Sequence, residues 1–261
     1  MKRAILVASF GTSYIPALKK SIEYIEEKIK AEFVGYDVYR AFTSQIIINK
    51  LAREQGLIIS KPTEVLDELY NNGYEEVIIA PLHIIPGAEF NSISDTKESY
   101  NEKFKSIKLA RPIFYYQGIA GLPDDYSLFI DSVKDIFDGH EGIVIMGHGA
   151  KHPSNAVYGA LQVVLEDEGY DNVFVGTMEG YPTIEAVIKR IKAKGIKEVL
   201  LMPLLVSAGK HVKRDMASED KHSWKSILEA EGIKVNMFIK GLGEVDSFIQ
   251  LYLNRIKELT D

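Results

Sequence analysis

Three side chains carry most of the chemistry that this sequence could perform: His148, His211 and Glu89. Two imidazoles and a carboxylate suit borderline divalent ions such as Co, Fe, Ni and Zn, and the same groups can accept protons. His148 lies in MGHGAKHP, where Gly147 and Gly149 allow a tight turn and close approach of a large ligand. His211 lies in AGKHVKRDM beside Lys210, Lys213 and Arg214, a basic cluster able to attract an acidic ligand. Glu89 lies in IPGAEF, where it could also simply balance a helix N-terminus. SFGTS, from Ser9 to Ser13, sets hydroxyls and free backbone N–H groups where a carboxylate or phosphate could be held, with Ser9, Thr12 and Ser13 as the candidates. His83, in APLHIIPG, reads as a core or supporting histidine. His152, before Pro153, reads as a residue that orients its loop.

These residues need a frame. Strand-length apolar runs (RAILVASF, VGYDVYRAF, EEVIIAPLHII, GIVIMG, DNVFVGTM, KEVLLMPLLVS, KVNMFI) alternate with amphipathic segments such as PALKKSIEYIEEKIKAEF and PTIEAVIKRIKAKG. Runs that are apolar on both faces belong to parallel sheets covered by helices. Pro16, Pro62 and Pro182 mark helix starts, and Gly73, Gly169 and Gly195 mark helix stops. The class is α/β.

The pattern occurs twice. GYEEVIIAPLHIIPGAEF aligns without a gap on GIKEVLLMPLLVSAGKHV, setting Pro81 on Pro203 and Glu89 on His211. ILVASFGTS aligns on IVIMGHGAK, setting Phe10 opposite His148. Two similar halves of about four parallel strands each are therefore expected, with ligands bound in a cleft at the carboxyl ends of the strands. The expected domains are residues 1–124, joined by a closing helix in 245–261, and residues 125–244.

Composition removes several alternatives. The absence of cysteine excludes disulfides, thiolate ligands and a cysteine nucleophile. A formal charge of −6 argues against general nucleic-acid binding. There is no GxxxxGK[ST], no GxGxxG after a strand and no GxSxG, so nucleotide and serine-hydrolase chemistry have no motif. No apolar run is long enough to span a bilayer, and the apolar run after Lys2 and Arg3 is too short for a signal peptide, so a cytoplasmic location is expected.

LVASFGTSY, PLHIIPGAEF, GHGAKHPSNAVYGAL and PLLVSAGKHVKRDM together resemble the anaerobic sirohydrochlorin cobaltochelatase family, the class II chelatases of the cobalamin pathway. The resemblance covers almost the whole chain. It implies a chelatase-like fold of two α/β domains with the site in the cleft, and ATP-independent insertion of Co2+ into a reduced tetrapyrrole. Cobalt is then a substrate, and no resident cofactor is expected. The family's metal-site histidines fall on His148 and His211 and its acid on Glu89. The resemblance also implies that the closing helices, Asp125–Phe137 and Val245–Leu259, each cross to pack on the other half. Three alternatives stand beside this reading: Fe2+ or Ni2+ insertion into a related ring, a non-catalytic tetrapyrrole or metal carrier, and the less favoured sugar or nucleotide binding. The oligomeric state is left open.

Overall fold

The computed structural model describes residues 2–260. The chain divides into two compact units. Unit 1 takes the chain up to Tyr115 together with Ile249 onward, and unit 2 is Tyr116–Phe248.

In unit 1 the elements run β1 (Lys2–Ser9), α1 (Ile15–Ala17), a π-helical stretch (Leu18–Glu23), α2 (Tyr24–Glu32), β2 (Asp37–Phe42), α3 (Gln45–Gln55), α4 (Pro62–Asn71), β3 (Tyr74–Pro81), α5 (Ala88–Ser99) and β4 (Ser106–Leu109). The strands form one sheet in the order β2-β1-β3-β4, and every pairing is parallel. β1 is central, so from Ala4 to Ala8 it is completely buried. One side of the sheet buries Leu6, Ile79, Leu66 and Leu69 in a common core.

Unit 2 repeats the plan with α6 (Asp125–Val133), β5 (Gly142–Gly147), α7 (Ala156–Asp167), β6 (Val173–Thr177), α8 (Ile184–Ala193), β7 (Glu198–Leu204), α9 (Trp224–Ala230) and β8 (Lys234–Met237). The order is β6-β5-β7-β8, again all parallel. The final helix, α10 (Asp246–Lys257), begins in unit 2 and has its residues from Ile249 in unit 1. The α/β fold class expected from the sequence, with a parallel sheet in each half, is what the chain adopts.

The ladders verify the internal repeat residue by residue. Ala8 pairs with Pro81 across β1 and β3, and Met146 pairs with Pro203 across β5 and β7. Phe10 thus stands in unit 1 where His148 stands in unit 2, and Glu89 stands where His211 stands. The change from unit 1 to unit 2 follows from local bonding. Tyr116 N–H donates to Asp125 Oδ2 at 2.9 Å and Asp125 N–H returns to the Tyr116 carbonyl at 3.2 Å, so the loop between them closes onto the start of α6. Asp124 caps α6 through the Tyr126 and Ser127 N–H groups.

Three local expectations change. SIKL forms β4, a short edge strand that no apolar run announces. α3, α5 and α9 are further helices. Pro182 precedes its helix instead of opening it, because Thr183 is the N-cap and accepts from Ala186 N–H. Pro16 and Pro62 do sit in the first turns of α1 and α4.

Candidate functional site

Unit 2 brings His148 and His211 together. Their ring centroids are 5.0 Å apart and the rings are nearly perpendicular, at 87°. Two imidazoles bound to one ion through bonds of about 2 Å would have centres about 5 Å apart at a tetrahedral angle, so the observed spacing suits a shared ion.

His148 follows β5 directly. The turn after it depends on Gly149, at φ 81°, where an added Cβ would lie 2.9 Å from the backbone of Glu179 and Gly180. Asn155 Oδ1 accepts from Ala150 N–H at 2.9 Å, and Asn155 Nδ2 donates to the Tyr181 carbonyl at 2.7 Å, tying the loop after β5 to the loop after β6. His148 Nδ1–H donates to the Gly149 carbonyl at 3.1 Å. A carbonyl can only accept, so the proton sits on Nδ1 and the Nε2 lone pair is left for an ion or a proton.

His211 is the N-cap of a helical turn, Val212–Met216, of π type. Val212 and Met216, one turn apart, are buried in the core of unit 2. That anchoring turns His211 and Asp215 outward on a neighbouring face, where the His211 Nδ1–H donates to Asp215 Oδ2 at 2.7 Å. Arg214 Nε–H donates to Asp215 Oδ1 at 2.5 Å. Partial burial opposes ionisation of Asp215, but hydrogen bonds from Arg214 and His211 and the charge of Arg214 outweigh it and hold this carboxyl below its ordinary range. An ionised carboxylate behind a histidine fixes the ring and its tautomer, the arrangement usual behind metal-bound imidazoles. His211 thus also offers Nε2. Its side chain is 46% exposed.

Lys210, Lys213 and Arg214 are exposed around this turn, Arg214 being the one turned back to Asp215. Glu89 is on unit 1, exposed in the first turn of α5 after Gly87 as N-cap. Of the three hydroxyls proposed to face a ligand, Ser9 is buried with its Oγ sealed, and Thr12 is buried with Oγ1 accepting from Tyr14 N–H at 3.3 Å. Only Ser13 is partly open. Ser9 ends a central strand and therefore points into packed structure, which the motif alone does not show.

The structure adds an acid that the sequence reading missed. Thr177 pairs with Gly147 at the ends of β6 and β5, and Glu179 N–H donates to the His148 carbonyl at 2.9 Å. Glu179 is exposed. The signal lies in strand order: the residue two past β6 must lie next to the residue just past β5. Among the described residues, no three His, Cys, Asp or Glu side chains are already gathered as a metal centre.

His152 accepts from Ser154 N–H through Nδ1 at 3.2 Å and caps the short turn Pro153–Asn155, so it orients its loop. His83 follows β3 in unit 1. Both its ring nitrogens are sealed and lack a hydrogen-bond partner, and burial pushes its pKa down to about 4, so the ring is neutral at physiological pH. Among the described residues, no helix is long and apolar enough to cross a membrane.

Comparison with known proteins places the fold and the family. The family model for cobalt chelatase (CbiK) matches residues 3–261. The sirohydrochlorin cobaltochelatase of Salmonella typhimurium is 36% identical over 252 residues, covering 94% of this chain and 91% of that protein. The sirohydrochlorin cobaltochelatase CbiKC of Nitratidesulfovibrio vulgaris is 30% identical over 257 residues, covering 98% and 89%. Among solved structures, SirB from Bacillus subtilis with Fe3+ shares the fold at 16% identity, with a TM-score of 0.64 over 99% of this chain and 95% of that one. A duplicated α/β plan, an imidazole pair at the strand ends and a family match over nearly the full length lead to one assignment: the chain belongs to the cobalt chelatase (CbiK) family.

Proposed function

We propose that the protein is a sirohydrochlorin cobaltochelatase, inserting Co2+ into sirohydrochlorin without ATP in anaerobic cobalamin synthesis. The observation that carries this is the His148–His211 pair, with both Nδ1 atoms committed as donors and both Nε2 lone pairs left available. Neutral imidazoles suit Co2+ and can release it, because the chain has no thiolate and, among the described residues, no ready-made third ligand gathers beside them.

Metallation exchanges two inner N–H protons of the macrocycle for one divalent ion. Glu89 is proposed either as an acceptor for those protons or as a metal ligand. His148 or His211 becomes a base once its Nε2 no longer holds the ion. Glu179, anchored beside His148, is a further candidate ligand. Lys210 and Lys213 attract the carboxylate rim of the substrate, and Ser13 is the hydroxyl retained for a rim contact. Arg214 serves mainly by holding Asp215. Fe2+ or Ni2+ as the physiological metal remains the second reading, since affinity order does not by itself select cobalt.

Anaerobic absorbance spectroscopy of protein, sirohydrochlorin and Co2+ tests the proposal, with His148→Ala and His211→Ala as controls. Turnover above the protein-free rate is expected, lost in both variants while each stays folded. A spectral change that saturates at one equivalent with no turnover would identify a carrier instead. Competition among Co2+, Fe2+ and Ni2+ at fixed tetrapyrrole ranks the metals. A cytoplasmic location is proposed with it, and cell fractionation tests that.

A further inference from the structure

Phe10 has no part in the chemistry above, yet it holds the position in unit 1 that His148 holds in unit 2. Its exposure has a local cause. Gly11, at φ 89°, lays the backbone flat against the Phe42 ring, where an added Cβ would meet ring atoms at 2.4 Å. Phe42 takes the buried place, and Phe10 is left 50% exposed. Ile46, in the first turn of α3 just past the neighbouring strand β2, is 79% exposed. Along the carboxyl edge of this sheet, in the strand order β2, β1, β3, unit 1 therefore presents an aliphatic side chain, an aromatic ring and the carboxylate of Glu89.

A large aromatic left half in water at a strand end loses burial that other aromatics of this unit have, such as Phe42 and Phe114. A tetrapyrrole has a charged rim and two flat apolar faces, so recognising it takes apolar surface as well as cations. We propose that Phe10 is a specificity residue that takes the apolar face of the tetrapyrrole, a reading that rests on the chelatase function proposed above. The duplication has then divided its labour: the residue after the first strand offers an apolar ring in unit 1 and an imidazole in unit 2.

The experiment is an anaerobic titration of metal-free sirohydrochlorin into wild type, Phe10→Ala and Phe10→Tyr, followed by macrocycle absorbance, with Co2+ titrated separately. Covering the open half of a phenylalanine predicts a Kd raised about tenfold to fiftyfold in Phe10→Ala. Phe10→Tyr should stay within about threefold of wild type, because the ring face is kept. Co2+ affinity and melting temperature should be unchanged in both variants. Equal tetrapyrrole affinity in Phe10→Ala and wild type would overturn the inference. So would a raised Kd shared by Phe10→Tyr and accompanied by a large fall in melting temperature, which would assign the ring to the framework. Wild type that binds no sirohydrochlorin would overturn the chelatase reading itself, and this inference with it.

Discussion

His83 makes the stability of the protein depend on pH in a way that one substitution can isolate. Its ring nitrogens are sealed without a hydrogen-bond partner, and its pKa falls from 6.5 to about 4 on burial. A group whose folded pKa lies below its unfolded one gives stability that is fully present above the unfolded value. That stability is lost as pH falls towards the folded value. Above pH 6.5 both states are neutral at this residue and nothing is lost. Below it the unfolded chain gains a proton that the folded protein refuses, at about 1.4 kcal/mol per pH unit. The loss is about 2 kcal/mol at pH 5 and about 3 kcal/mol at pH 4. His83→Leu removes the titrating group and the two orphaned nitrogens together. Urea denaturation followed by circular dichroism at pH 7, 6 and 5 gives the comparison, and subtracting the variant from wild type cancels the titration of all other groups. The difference should move by about 2 kcal/mol in favour of the variant between pH 7 and pH 5. Parallel pH profiles for the two proteins would refute the reasoning, because they would mean that His83 is protonated as readily in the folded state as in the unfolded one.

Three further outcomes are expected. Asp215→Ala frees His211 Nδ1 and should weaken Co2+ binding by about tenfold to a hundredfold without unfolding unit 2, as a Co2+ titration will show. Gly149→Ala forces a side chain at φ 81° into the Glu179–Gly180 backbone and should abolish most insertion activity by displacing His148, measured as kcat at saturating substrate. Arg255 is buried and donates to the carbonyls of Pro112, Ile113 and Leu251, so Arg255→Leu should destabilise unit 1 by about 3 kcal/mol, measured by denaturant midpoint.

Strands buried on both faces, such as β1, β5 and β7, are legible in sequence because their whole surface must be apolar. β4 was not, since an edge strand of four residues buries only Ile107. α5 was hidden for a similar reason: only Phe90 and Ile93 of its twelve residues are buried, too few to set a period. In α3 the run of isoleucines that obscures the period includes the exposed Ile46. The histidine pair was found through the repeat, which a linear string preserves. Glu179 and the sealing of Ser9 were not, because both depend on which strands are neighbours, and neighbours of a parallel sheet are far apart in sequence.

The discontinuous make-up of unit 1 bears on the order in which the protein is assembled during synthesis. Every residue of unit 2 has been translated once Phe248 is joined, whereas unit 1, although begun first, still needs the stretch from Ile249 onward. Leu251, Tyr252 and Ile256 are buried in the finished fold, and Arg255 reaches back to Pro112 and Ile113. The half encoded first is therefore completed last, and a nascent chain cut short before Ile249 would carry a finished unit 2 beside an unsealed unit 1, a form that proteolysis and chaperones can recognise.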